Sequence, residues 1–371
     1  MLLIYGANGF TGQLIVEECV RRGLRPVLAG RRADALMPLA RQYGLEVRVA
    51  SLFSGHAPGR PRLTPPGTLP PVPHDELLMM LDGVSVVLHC AGPFFRTSGL
   101  MVQACLEVGA HYLDITGEIA VFEACRHRHA AARQREIVIL PGVGFDVVPT
   151  DCLAARLAAA LPGATQLELA FAGGGGFSRG TLKTMLLGGG EGGAIRQDGV
   201  IIPVPRAWRT RVIPFRDKPR TSVTIPWGDV STAQWSTKIP TIHTYLALPV
   251  SARLGMTVQG ALQPLLDIPA VRRLVERQID ARVSGPNAAV RARARMQIWG
   301  RVTHPDGRTL EGTAVTPEGY RFTAIAAVEC AQRVLVHPPE PGYHTPSSAF
   351  GAHFLESLPE CDVQLASGSS R

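Results

Sequence analysis

The chain has 371 residues, which at the usual domain size of roughly 150 residues divides into about two domains. Apolar residues make up 46% and charged residues 18%, enough to bury a large core and too apolar for wholesale disorder. Thirty-eight Lys and Arg against 30 Asp and Glu leave a formal charge of +8, which favours anionic ligands but is too modest and scattered to imply nucleic acid.

Seven cysteines (Cys19, Cys90, Cys105, Cys125, Cys152, Cys330 and Cys361) form no CxxC pair and are odd in number, so neither a disulfide framework nor a zinc ribbon fits. A reducing cytoplasm is expected. The N-terminus opens on a strand-like run without the basic flank and long apolar stretch of a signal peptide, so secretion is not expected. The weakly charged region 245–266 is broken by Pro249, Arg253, Gly255 and Gly260, a poor membrane span that leaves peripheral membrane contact open. His127 and His129, two apart on a helix, point away from each other, and no metal site is expected.

In chain order, residues 2–7 read as a strand and 11–22 as a helix with Gly23 as its stop. Strand 26–29, helix 33–43 and strand 47–50 follow, before a Pro- and Gly-rich stretch at 54–73 that reads as a mobile loop. A short helix from 75, strand 84–89, helix 98–107, strand 112–115, helix 121–135 and strand 137–140 complete six strands. Strands alternating with helices predict an α/β fold with a doubly wound parallel sheet. Beyond Pro149 the texture changes: a helix at 151–160, a strand at 167–171, the glycines of 173–176, and β-like segments at 222–226 and 291–302 predict a second, more antiparallel domain. Helices at 322–335 and 347–358 follow, the latter introduced by Thr345 and Pro346, and the last ten residues read as frayed. The expected domains are 1–148, 149–320, and a C-terminal helical return over 321–371.

Gly6-Ala7-Asn8-Gly9-Phe10-Thr11-Gly12 joins the first strand to the first helix with GxxGxxG spacing, one residue away from GxGxxG. Such a turn lets the backbone approach a pyrophosphate while the helix N-terminus directs N–H groups at the charge. The second strand ends in Arg31 and Arg32 where an NAD enzyme usually carries Asp or Glu. Two guanidiniums suit a 2′-phosphate, so NADP(H) is favoured over NAD, the alternative being that both merely begin a solvated helix. Cys90, Ala91, Gly92 and Pro93 end the fourth strand, and Asp114, Thr116 and Gly117 the fifth, all expected to line the cofactor on one rim.

Taken together, YGANGFTG, LAGRR, CAGPF, HYLDITGE and PGVGFDVVPTD, with SRGTLKTM, TIPWGDVSTA and HTPSSAFGAHFLE further on, resemble the saccharopine dehydrogenase-like oxidoreductases, among them the trans-acting enoyl reductases. The resemblance covers most of the chain. It implies a Rossmann domain, a second α/β domain with the substrate pocket, and C-terminal helices that return to the first. It also implies reduction of an activated double bond, the enoyl C=C of a lipid or polyketide chain or a saccharopine-type imine C=N. Lys238 in STKIP stands where the resemblance implies glycine.

Hydride transfer leaves negative charge on the acceptor, so a proton donor is needed. Asp146, at the expected hinge, and Lys183, after the glycine stretch, are nominated. Asp151 reads as a first-turn acid behind a Thr150 cap. Tyr112 and Asp114, taken as neighbours on a strand, are expected to face opposite sides and not to share a pocket. Arg291, Arg293 and Arg295 alternate with alanine and are expected to share one face of a strand, a stripe suited to a phosphopantetheine carrier, an acidic partner or solvent. The partners expected are a small-molecule acceptor, carrier-bound or lipid-like, and a second copy of the chain. A different class of function, a nucleotide-bound scaffold at lipid surfaces without turnover, remains the rival reading.

Overall fold

A computed structural model of the chain describes residues 1–53, 73–173, 192–248, 268–283 and 285–366, together with 176, 178, 180 and 182. Nearly all of the 54–73 insert, residues Arg179, Thr181 and Lys183, and 249–266 of the weakly charged region lie outside the described residues. The chain divides into two compact units, Met1–Asp146 with Tyr320–Phe350, and Val147–Gly319 with Gly351–Arg371.

The first unit alternates strand and helix: β1 (Leu2–Tyr5), α1 (Phe10–Arg21), β2 (Val27–Gly30), α2 (Ala33–Tyr43), β3 (Val47–Val49), α3 (Asp75–Met80), β4 (Val86–His89), α4 (Phe94–Val108), β5 (His111–Asp114), α5 (Ile119–Arg126), α6 (His129–Gln134) and β6 (Val138–Leu140). The runs LLIY, VLAG and VVLH are buried at every position, as strands covered on both faces must be. Gly44 and Gly109, at φ 63° and 78°, end α2 and α4 in the left-handed conformation that glycine adopts without penalty. The order is β3-β2-β1-β4-β5-β6, every pair parallel, so the direction of winding reverses between β1 and β4. Ligands of such sheets bind outside the strands' carboxyl ends at that reversal.

The second unit begins with α7 (Val148–Ala160) and carries β7 (Gln166–Ala172), β8 (Gly193–Gln197), β9 (Val200–Val204), β10 (Thr210–Pro214), β11 (Pro219–Thr224), α8 (Asp229–Thr237), β12 (Thr241–Ala247), α9 (Pro269–Arg282), α10 (Ala288–Arg293), β13 (Arg295–Thr303) and β14 (Thr309–Pro317). Its mixed sheet runs β10-β11-β12-β7-β13-β14-β16, with only β12 and β7 parallel along that path, and β16 is Asp362–Leu365. Gly300 and Gly312 let Leu153 of α7 pack directly on this sheet. On it lies a core of Ala170, Ile213, Phe215, Tyr245 and Trp299. The Arg211 guanidinium sits 5.1 Å from the Trp299 ring although β10 and β13 are four places apart, so the sheet curls strongly.

The chain returns to the first unit through α11 (Gly319–Val336), β15 (Gly342–Tyr343), which extends the first sheet beside β6, and α12 (Pro346–Phe350). Thr345 caps α12, its hydroxyl accepting from Ser348 N–H at 3.3 Å. The predicted helix 347–358 is broken at Gly351, φ 87°, into α12 and a 3₁₀ turn, Phe354–Ser357. Of the last ten residues, expected to fray, Asp362–Leu365 instead pairs as β16 with β14, and 367–371 lie outside the described residues. The arginine stripe is also corrected: Asn287 accepts from Val290 N–H at 2.9 Å and starts α10, so Arg291 and Arg293 are helical and only Arg295 is in a strand. Thr150 lies inside α7 rather than capping it, and donates to the Asp229 carboxylate at 2.8 Å. Among the described residues no helix is long and apolar enough to cross a membrane.

Candidate functional site

The turn between β1 and α1 is shaped by what its glycines approach. Gly6 has φ 86°, and a Cβ there would meet Ala91 Cβ and N at 2.9 Å, so the turn and the end of β4 touch backbone to backbone at the reversal point. A Cβ on Gly12 would fall 2.3 Å from Gly6 O, which is how α1 comes to start tight against β1. Gly9 caps α1 with extended backbone, no side chain caps the helix, and its first turn holds no acid. A helix start of that kind, with exposed Asn8 and Gly9 before it, fits a diphosphate.

Arg31 and Arg32 leave the end of β2 with exposed side chains. Arg32 is paired, loosely, with Asp34 at 4.0 Å. Arg31 makes no hydrogen bond or ion pair among the described residues, and its charge is felt at the buried Tyr5 hydroxyl, which burial nevertheless pushes up to about 12. Asn8 Oδ1 lies over Gly30, so turn, Asn8 and Arg31 share one edge.

At the end of β4 the 90–95 turn, with a cis Gly92-Pro93 bond, is held from two sides. Thr97 Oγ1 donates to Ala91 O at 2.8 Å and lies 2.9 Å from Nε2 of His89, whose pKa burial depresses to about 3. The Glu118 carboxylate accepts from the N–H groups of both Phe94 and Phe95 at 2.8 Å, taking up the amides at the start of α4. Glu118 was not singled out from the sequence, although an acid placed before a Gly-Pro-Phe-Phe helix start is a capping signal only once the fold brings the two loops together. The Cys90 thiol is pushed up by burial, so it lines the turn as a small neutral group.

The β5 end differs from expectation. Residues 112 and 114 are two apart, so their side chains share a face, and Tyr112 OH donates to Asp114 Oδ2 at 2.7 Å. Asp114 Oδ1 accepts from the N–H groups of Thr116 at 3.0 Å and Gly142 at 2.9 Å. Burial lifts this carboxyl to about 6 against the pull of those three donors. Asp114 and Thr116 are therefore fully buried and join the ends of β5 and β6, while Gly117 is left at the surface of the rim.

Gly117 carries Asp146: a Cβ there would meet Asp146 Oδ2 at 2.7 Å. The Asp146 carboxyl has no hydrogen bond among the described residues, and burial lifts it to about 7. The structure thus gathers the glycine turn, Arg31, 90–93, Gly117 and Asp146 at one edge, while Lys183 is outside the described residues. Asp151, fully buried in the second unit, accepts from Ser236 Oγ at 2.7 Å. Among the described residues no group of three or more His, Cys, Asp or Glu is placed to hold a metal ion.

Residues 2–140 match the family model of the saccharopine dehydrogenase NADP binding domain. The first domain of the chain is therefore similar to the NADP binding domain of the saccharopine dehydrogenase-like oxidoreductases. It is 27% identical to a Mycobacterium tuberculosis protein whose name describes a trans-acting enoyl reductase, over 98% of this chain and 96% of that protein. It is 30% identical to the human saccharopine dehydrogenase-like oxidoreductase over 40% of this chain and 35% of that one. Its fold is similar to apo saccharopine dehydrogenase (L-Glu forming) of Saccharomyces cerevisiae, with a TM-score of 0.59 at 11% identity over 99% of each chain. This saccharopine dehydrogenase-like enzyme is an NAD(P)H-dependent reductase with NADP(H) as its coenzyme. The glycine cradle, the open start of α1 and Arg31, which makes no ion pair among the described residues, fit that nucleotide.

Proposed function

We propose that this reductase acts on the activated C=C bond of an enoyl group in a lipid- or polyketide-type substrate, with Asp146 as proton donor. The observation that carries the reading is the Asp146 carboxyl, lifted to about 7 by burial and without a hydrogen bond among the described residues, on the rim that holds the coenzyme turn. The choice of acceptor is supported by the relative named for enoyl reduction, which aligns along 98% of the chain.

NADPH, when bound, supplies hydride from its nicotinamide. The glycine turn and the start of α1 would hold the diphosphate, Arg31 the 2′-phosphate, and 90–93 the nicotinamide half. A hydride added at the β carbon leaves negative charge on the α carbon and its carbonyl, and the proton that balances it comes from Asp146. A carboxyl near 7 is protonated in about half of molecules at neutral pH, whereas an ordinary aspartic acid would be almost wholly ionised there.

The test is absorbance of the reduced nicotinamide with enoyl thioesters of increasing chain length. The expected result is coenzyme consumption that Asp146→Asn slows by about 10²-fold or more while NADPH binding is kept. Consumption with imines alone, or full activity in Asp146→Asn, would overturn the reading.

A further inference from the structure

The carboxyl edge of the first sheet is closed into a ring by contacts between successive loops. Gly6 abuts Ala91, Phe94 and Phe95 donate to Glu118, and Gly117 abuts Asp146. From there α11 completes the circuit. Thr323 Oγ1 accepts from Phe145 N–H at 3.0 Å, and Phe322 meets the Phe145 ring edge-on. One turn earlier, the Tyr320 ring stands edge-on to Phe10, centroids 5.1 Å apart and planes at 86°. Phe10 is the first residue of α1, back in the glycine turn.

Helices α11 and α1 run side by side in the same direction. Their first turns meet through Tyr320 and Phe10, and past the end of α1 Arg22 donates to Glu329 at 2.7 Å and Gln332 at 2.8 Å. Phe10 stands between Gly9 and, two residues on, Gly12, so its stretch of backbone has little conformational preference of its own. No side chain caps α1. The aromatic pair is a contact that reaches the start of this helix from outside the turn.

We infer that Tyr320 is a positioning residue of the coenzyme turn, its ring fixing Phe10 so that the first amides of α1 stay aimed at the diphosphate. Preorganisation of this kind appears as ligand affinity. It rests on the NADP(H) site described above and not on the identity of the acceptor. It also means that a residue reached only after Val147–Gly319 of the second unit completes the nucleotide site of the first.

NADPH affinity, measured by titration calorimetry on the full chain, tests this. Tyr320→Ala is expected to raise the Kd about three- to tenfold, the worth of one aromatic pair. Tyr320→Phe, which keeps the ring, should stay within about twofold of wild type. Phe10→Ala should match Tyr320→Ala, and the double variant should be no worse than either, since one acts through the other. Glu329→Gln loosens the same two helices far from the turn and should lower the melting temperature without changing the Kd. Wild-type affinity in folded Tyr320→Ala, or losses that multiply in the double variant, would overturn the inference. Absence of NADPH binding to the wild type would instead overturn the coenzyme site itself.

Discussion

Adjacent guanidiniums at the end of β2 have different prospects. Arg31 is unpaired among the described residues, whereas Arg32 is already drawn to Asp34 at 4.0 Å. Arg31→Ala should weaken NADPH by about 1.5 to 3 kcal/mol, one charge-assisted hydrogen bond, and leave NADH nearly unaffected. Arg32→Ala should cost less, and equal losses for both coenzymes in a titration would remove the 2′-phosphate from the account. Asp146 carries a second prediction, in pH. Its folded pKa near 7 lies above the unfolded value of 3.8, so the folded state binds the extra proton and stability falls as pH rises through that window. Asp146→Asn should therefore raise the melting temperature at pH 8 relative to wild type, while wild-type turnover declines above about pH 7. A melting temperature lowered by the substitution at pH 8 would show the carboxylate to be stabilising and not poised. At this scale the glycines, arginines and Asp146 were readable because each has a fixed offset from a strand end. Asp114 was not, because Gly142, one of its three donors, meets it only through the pairing of β5 with β6.

The turn between β1 and α1 works as one element, since Gly12 exists to let the helix start against Gly6 O. Gly12→Ala places a methyl 2.3 Å from that backbone oxygen, and overpacking of this kind costs about 1 to 3 kcal/mol. Denaturant unfolding should show that loss, with NADPH affinity falling alongside; an unchanged midpoint would mean that the helix start is looser than described. At the end of α8, Lys238 adopts φ 64° where the family resemblance implies glycine. Its ammonium donates to Trp235 O at 2.7 Å and lies over the indole, which offsets part of the left-handed penalty. Lys238→Gly should stabilise the protein by roughly 0.5 kcal/mol, and a loss above that would make the lysine contacts dominant. Most elements with caps and apolar periods came out of the sequence to within a few residues, although the helix expected over 121–135 is two, α5 and α6. The 291–302 segment did not, since Arg and Ala alternation suits a helix and a strand alike and only Asn287, as N-cap, decides between them.

Over the whole molecule, a chain that winds six parallel strands, builds a curled mixed sheet and then sends α11 back beside α1 brings residues far apart in its sequence to the glycine turn. The alternation of strand and helix in the first unit follows from local pattern, because a parallel strand and its crossover helix are neighbours in sequence. Pairs such as Arg22 with Glu329, or Phe10 with Tyr320, are some 300 residues apart and carry no local mark. The central claim is reduction of an enoyl C=C at the expense of NADPH, and the most direct measurement is a coupled one: the fall in nicotinamide absorbance together with mass analysis of a long-chain enoyl thioester after incubation with the full-length protein. The account predicts one saturated product, two hydrogens heavier, for each NADPH consumed, and little of either with Asp146→Asn. Tight NADPH binding with every enoyl acceptor returned unchanged would contradict it.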